Sequence, residues 1–171
     1  MSPRAPVDDL DARLLALLLE RPQVGVLGAS RELDVARGTV QARLDRLVQQ
    51  GVISSLAPTL DPAAMGYPVT AFCTLAIQQQ AGHEDLLSHL QGIPEVLEVH
   101  TITGDGDLMV RVVARDNPDL QRVIDLVVST GVVTRTSTVI ALAELMAHRT
   151  NALVGAAVER SPSVSGRSLA P

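Results

Sequence analysis

The sequence predicts an α+β chain in two parts, and three observations predict it. Apolar residues recur at helical spacing three times between Asp8 and Gly51, with no strand-like run among them. From Val69 onward the pattern switches between the two periods in the order strand, helix, strand, strand, helix, strand. Between these parts lies "VISSLAPTLDPAAMGYPV", punctuated by Pro58, Pro62, Gly66 and Pro68, which reads as a hinge with a short strand-like start. The chain has 171 residues, 46% of them apolar, which is ample for real cores.

The first helix is "DDLDARLLALLLERP". It places Leu10, Leu14, Leu17 and Leu18 at i, i+4, i+7 and i+8, with acids at its start and Pro22 beyond its end. The second, "VLGASRELDV", is weakened by Gly28, which costs about 1 kcal/mol relative to alanine in a helix interior. The third, "ARGTVQARLDRLVQQG", lines up Val40, Leu44, Leu47 and Val48 and closes on Gly51, a residue suited to a helix C-terminus. Three helices with a short second connection make a helix-turn-helix. A helical wheel puts Thr39, Arg43, Arg46 and Gln50 on one flank of the third helix, and Gly38, Gln41, Ala42 and Asp45 opposite its apolar stripe. Arginine can bond phosphates or guanine edges, glutamine can read adenine, and a small residue permits close approach. Two readings of this surface stand on pattern alone: a DNA-facing helix, or a trihelical bundle with solvated arginines.

In the second part "VTAFCTLAIQ" is a strand, "HEDLLSHLQG" a helix with Leu86, Leu87 and Leu90 on one face, and "EVLEVHTIT" and "LMVRVVAR" two strands. "NPDLQRVIDLVVSTG" is a helix with Asn117 as N-cap, Pro118 at its first position, and a stripe of Leu120, Val123, Ile124, Val127 and Val128; "VVTRTSTVIAL" is the last strand. The order βαββαβ is that of a ferredoxin-like sandwich with two helices on one face of a four-stranded sheet, so the other face calls for a partner. The "GDG" of "TITGDGDLMV" marks a hairpin turn that exposes Asp105 and Asp107. The tail from Asn151, ending in "RSPSVSGRSLAP", is Ser/Pro/Gly-rich and is expected to be disordered.

The net charge of −5 is uneven. Residues 1–56 balance seven arginines against seven acids, whereas residues 57–150 set five arginines against eleven acids. A neutral N-terminal part is compatible with either reading of the third helix. No apolar run is long enough to span a bilayer and the first residues lack a signal peptide's apolar region, so a cytoplasmic protein is expected. The lone Cys73 sits in an apolar run and reads as a buried small hydrophobe. His83, His89, His100 and His148 lack metal-ligand spacing, no glycine-rich phosphate loop precedes a helix, and no nucleophile has a base that the sequence places beside it. No enzyme, metal or cofactor is expected.

The stretches "LDARLLALL" and "ASRELDVARGTVQARLDRLVQQGVI" resemble the N-terminal domain of the Lrp/AsnC family of bacterial and archaeal transcription regulators. There an "LDxxDxxIL" helix precedes a helix-turn-helix ending in "RVxxLExxGVI", and Arg43, Leu44, Leu47, Gly51, Val52 and Ile53 match that ending. Ala36 stands where the family usually has a capping serine, Arg37 replaces a frequent proline, and Gly25 and Gly28 replace better helix formers. The second part resembles the family's effector-binding domain, so the resemblance runs from about Asp8 to Arg149.

That resemblance implies a winged helix-turn-helix domain (1–54), a linker strand or hinge (55–68), and a βαββαβ effector and oligomerisation domain (69–149); beyond it, composition leads to the expectation of a disordered tail (150–171). The resemblance implies double-stranded DNA as partner, contacted by Arg37, Gly38, Thr39, Gln41, Ala42, Arg43 and Arg46. It implies a homodimer through the open sheet face, assembling further to a tetramer or octamer, and an amino-acid effector. The family carries a "GDxD"-like turn near its effector, commonly with an aromatic residue before the second aspartate. Gly104, Asp105 and Asp107 match that turn, Gly106 replaces the aromatic, and Ser137 and Thr138 on the last strand are further candidates. The alternative is a ligand-binding oligomeric sensor whose N-terminal domain has lost strong DNA binding.

Overall fold

The computed structural model describes residues 7–78 and 83–159. It divides into two units, one comprising the chain up to Pro58 together with the chain from Ala147, the other Thr59–Met146.

The first unit begins with α1 (Asp9–Glu20), α2 (Gly25–Leu33) and α3 (Arg37–Gln49). Asp8 caps α1 by accepting from the Asp11 backbone N–H at 2.9 Å, while the Asp11 carboxylate accepts from the Asp8 N–H at 3.1 Å, a reciprocal capping box. Leu14, Leu15 and Leu17 of α1 pack with Ala29 and Leu33 of α2 and with Val40 and Leu47 of α3. Each such leucine, fully buried, contributes roughly 1.5–3 kcal/mol. Between α2 and α3 the chain reverses at Asp34, which holds φ +53°, a left-handed value that aspartate tolerates better than most residues. Helix α3 ends in a Schellman closure: Gly51 (φ +68°) donates to Val48 O, and the Val52 and Ile53 N–H groups both return to Leu47 O. Those N–H groups are therefore committed, and the strand-like start expected at Val52 is turn and bend instead.

The second unit contains β1 (Val69–Ile77), α4 (His83–Gln91), β2 (Val96–Thr101), β3 (Leu108–Ala114), α5 (Asn117–Val128) and β4 (Val133–Ala141). Its strands form one antiparallel sheet in the order β2-β3-β1-β4, the ferredoxin-like arrangement. Ala71, Cys73 and Leu75 of β1 and Val110 and Val112 of β3 point to the face packed by Leu86 and Leu90 of α4 and by Leu120, Val123 and Val127 of α5. Leu87, expected on that face, is exposed. The N-cap of α5 is Asp116, not Asn117: its carboxylate accepts from Asp119 N at 2.7 Å, which moves Pro118 one position further into the helix. Asp119 is itself buried and accepts from Arg115 and Arg122, whose guanidinium groups hold its carboxyl far below the ordinary carboxylate range.

One further helix, α6 (Asn151–Glu159), belongs to the first unit. It corrects the expectation that the tail is disordered from residue 150. Its Val154 packs against the α1–α3 core, and that packing outweighs the tail's weak local signal. The rest of the Ser/Pro-rich tail lies outside the described residues. No helix among the described residues is long and apolar enough to cross a membrane.

Candidate nucleic-acid interface and effector turn

Helix α3 presents two different surfaces. Arg37, Gly38, Thr39, Gln41, Ala42 and Asp45 are exposed or partly so. The Gln41 amide donates to Asp45 Oδ1 at 2.8 Å, one turn along, which masks part of the acid's charge. The helix starts at Ala36 without a side-chain cap, as expected from the absent serine.

Arg43 and Arg46 lie elsewhere. Arg43 Nη1 donates to both Asp8 oxygens at 2.7 and 2.6 Å and to Asp11 Oδ1 at 2.8 Å, and Arg46 Nη2 donates to Asp11 Oδ2. Asp11 is wholly buried. The Arg43 guanidinium also holds the Asp8 carboxyl below the ordinary carboxylate range, and the two carboxylates keep the Arg43 guanidinium firmly charged. This network fastens the first turn of α1 to the middle of α3, so these two candidate DNA contacts are already engaged within the unit. The arginines of α2 and α3 whose side chains make no hydrogen bond or ion pair among the described residues are Arg31 and Arg37. Arg31 escaped the sequence reading because it stands on α2, not on the helix that carries the pattern.

The hairpin between β2 and β3 forms as expected, closed by Thr101 opposite Leu108 and by Ile102 N donating to Asp107 O at 3.0 Å. Gly104 sits at φ +116°, which strongly favours glycine. Gly106 is buried, and a Cβ there would lie 2.4 Å from Thr74 Cγ2 and 3.1 Å from Leu75 O. No side chain fits at this position without displacement, so the absent aromatic reflects close packing of the turn on β1.

The two turn acids differ in the same way. Asp107 donates from its backbone N–H to Leu75 O and accepts at Oδ2 from Ile77 N, both at 2.8 Å. It pins the turn to the end of β1. The Asp105 carboxylate is exposed and has no partner among the described residues, while its carbonyl accepts from Arg135 Nη2 at 2.7 Å. An open hollow of about 500 Å³ lined by Thr101, Ile102, Thr103 and Met109 lies beside the turn. Ser137 and Thr138 separate: Ser137 is opposite Thr74 on the uncovered face, whereas Thr138 is opposite Cys73 and donates to its sulfur at 3.4 Å on the helix-covered face. Burial raises the Cys73 thiol pKa, consistent with an inert core position. The uncovered face also carries Phe72, Met109 and Val139, the last 62% exposed.

No group of three or more His, Cys, Asp or Glu among the described residues could hold a metal ion. Residues 7–54 match the family model described as winged helix-turn-helix DNA-binding, and residues 70–150 match the Lrp/AsnC ligand binding domain. The HTH-type transcriptional regulator FL11 of Pyrococcus furiosus is 31% identical over 140 residues, covering 81% of this chain and 91% of that protein. AsnC of E. coli has a similar fold, with a TM-score of 0.77 at 22% identity over 86% of this chain and 99% of its own. A transcriptional regulator from Neisseria meningitidis, solved as an L-Met complex, gives a TM-score of 0.74 at 24% identity over 84% and 94%.

Proposed function

Because this chain belongs to the Lrp/AsnC family of transcription regulators, we propose that it binds double-stranded DNA as a homodimer and that an amino-acid effector held at turn 104–107 changes that binding or the assembly. The observation that carries the reading is the union in one chain of a winged helix-turn-helix and an Lrp/AsnC ligand binding domain. On the first, Arg37, Gly38, Thr39, Gln41 and Ala42 face the DNA, with Arg31 adding a phosphate contact. Arg43 and Arg46 act indirectly, by holding α3 on α1. On the second, the uncovered sheet face with Phe72, Met109 and Val139 meets a second copy. A dimer presents two recognition helices to half-sites about one helical turn, or a multiple of it, apart, and dimers assemble further to a tetramer or octamer.

The effector is a zwitterion of the L-Met kind seen in the Neisseria relative. Asp105 offers the turn's unengaged carboxylate to its ammonium group, and Arg135, next to it, supplies charge for its carboxylate. Binding alters DNA affinity only to the extent that it favours one assembly or interdomain geometry over another. A second reading rests on the ion pairing of Arg43 and Arg46 together with the uncapped α3: an oligomeric ligand sensor with weak DNA binding. A gel-shift titration on the DNA upstream of the protein's own gene separates the two. Retardation at nanomolar protein, altered by an amino acid that also shifts the mass in light scattering, supports the first. Effector-dependent mass without retardation supports the second.

A further inference from the structure

Helix α1 is apolar on more of its surface than a trihelical bundle uses. Within "LLALLL", Leu14, Leu15 and Leu17 pack in the core, while Leu18 and Leu19, with the outer edge of Leu15, border a groove completed by Val52, Ile53 and Leu56 after α3. Leu153 and Val154 of α6 stand in that groove, beyond residue 150 where the match to the family model ends. The fit is partial: a cavity of about 430 Å³ remains, Leu153 is 64% exposed and Leu19 51%.

A nine-residue helix is too short to persist alone in water, and Gly155 in its interior weakens it roughly fivefold relative to alanine. Nothing crowds that glycine, since a Cβ on Gly155 would meet nothing within 4 Å. The segment that delivers α6, residues 142–150, is wholly exposed and without helix or strand. Its short length and Gly155 thus make the helicity of α6 depend on the groove.

We propose that the groove between α1 and the segment after α3 is the docking surface for α6 of the same chain, that α6 is helical only while seated there, and that this seating is a clasp on the DNA-binding unit. Val154 is the anchor and Gly155 sets the clasp's weakness. A groove only partly filled and a helix at the edge of stability make a joint that opens readily.

Amide hydrogen exchange on the full chain tests this. Val154→Asp should bring the amides of α6 to unprotected rates and speed exchange in Leu15–Leu19 about tenfold, while β1 and α5 stay unchanged. Gly155→Ala, which fits the open space, should slow exchange in both α6 and Leu15–Leu19 by roughly fivefold. The proposal is overturned if α6 melts without any effect on α1, or if α6 remains protected in Val154→Asp. It is also overturned if protection of α1 in the unmodified protein falls on dilution, which would make a second copy's helix the occupant.

Discussion

Replacing Arg43 separates a fastening role from a DNA-contacting one. Arg43→Ala removes three of the hydrogen bonds around Asp8 and Asp11 and leaves the buried Asp11 carboxylate with Arg46 and the Asp8 N–H. Stripping one partner from a fully buried ion pair costs about 3–5 kcal/mol. Arg46 remains in place and the Arg43 side chain is 26% exposed, so water reaches part of the gap and the expected loss is about 2 kcal/mol. In urea, with the helical signal of the first unit followed by circular dichroism, that loss moves the midpoint down by about 1 M. The salt dependence of DNA binding, measured where the variant is folded, should keep its slope. Arg37→Ala should do the reverse, leaving the urea midpoint in place and lowering the slope by about 0.9, the share of a single phosphate. An Arg43→Ala protein of unchanged stability with a slope lower by about one would falsify the fastening role.

Gly106→Ala should destabilise the second unit by about 1–3 kcal/mol, because its Cβ collides with Thr74 and Leu75; an unchanged melting curve would show that the turn can lift off β1. The Asp119 carboxyl is depressed in the folded state, so its contribution is present above the ordinary carboxylate pKa and is lost as the pH falls through the lower folded value. Asp119→Asn should therefore lower the melting temperature of the second unit near neutral pH and flatten its decline between about pH 4 and 2; parallel curves for the two proteins would refute the linkage. Asp105→Ala should abolish the heat of L-Met binding in calorimetry without altering stability or dimer mass, since its carboxylate makes no bond among the described residues. Absence of ligand heat in the unmodified protein would remove the effector reading at this turn.

Periodicity alone located nine of the ten described helices and strands, because each must bury one stripe or one face and its spacing says so. Its limits are equally physical. Asp116 and Asn117 are adjacent and both able to cap, so residue type alone did not choose between them; Asp116 holds the extended backbone and accepts from Asp119 N. The ion pairs of Arg43 and Arg46 span 32 and 35 residues to Asp11, and a helical wheel sees only one helix. Asp107 is exposed, as the turn implied, but its bond to Ile77 N was hidden because the two lie 30 residues apart. Helix α6 lacked a regular stripe of its own; the clue to it was the surplus of leucine on α1.

The first unit is assembled from two stretches of chain that are far apart, and this orders events during synthesis. About a hundred residues separate Gln49 at the end of α3 from Asn151 at the start of α6. At ribosomal rates the intervening stretch takes roughly 5–20 s to emerge. The three helices of α1–α3 form on far shorter timescales. For those seconds the nascent chain carries a folded helix-turn-helix whose Leu18 and Leu19 still lack the cover of α6, in search of a helix not yet made. The greasy side of α1 is thus an early sticking point as well as a late docking site.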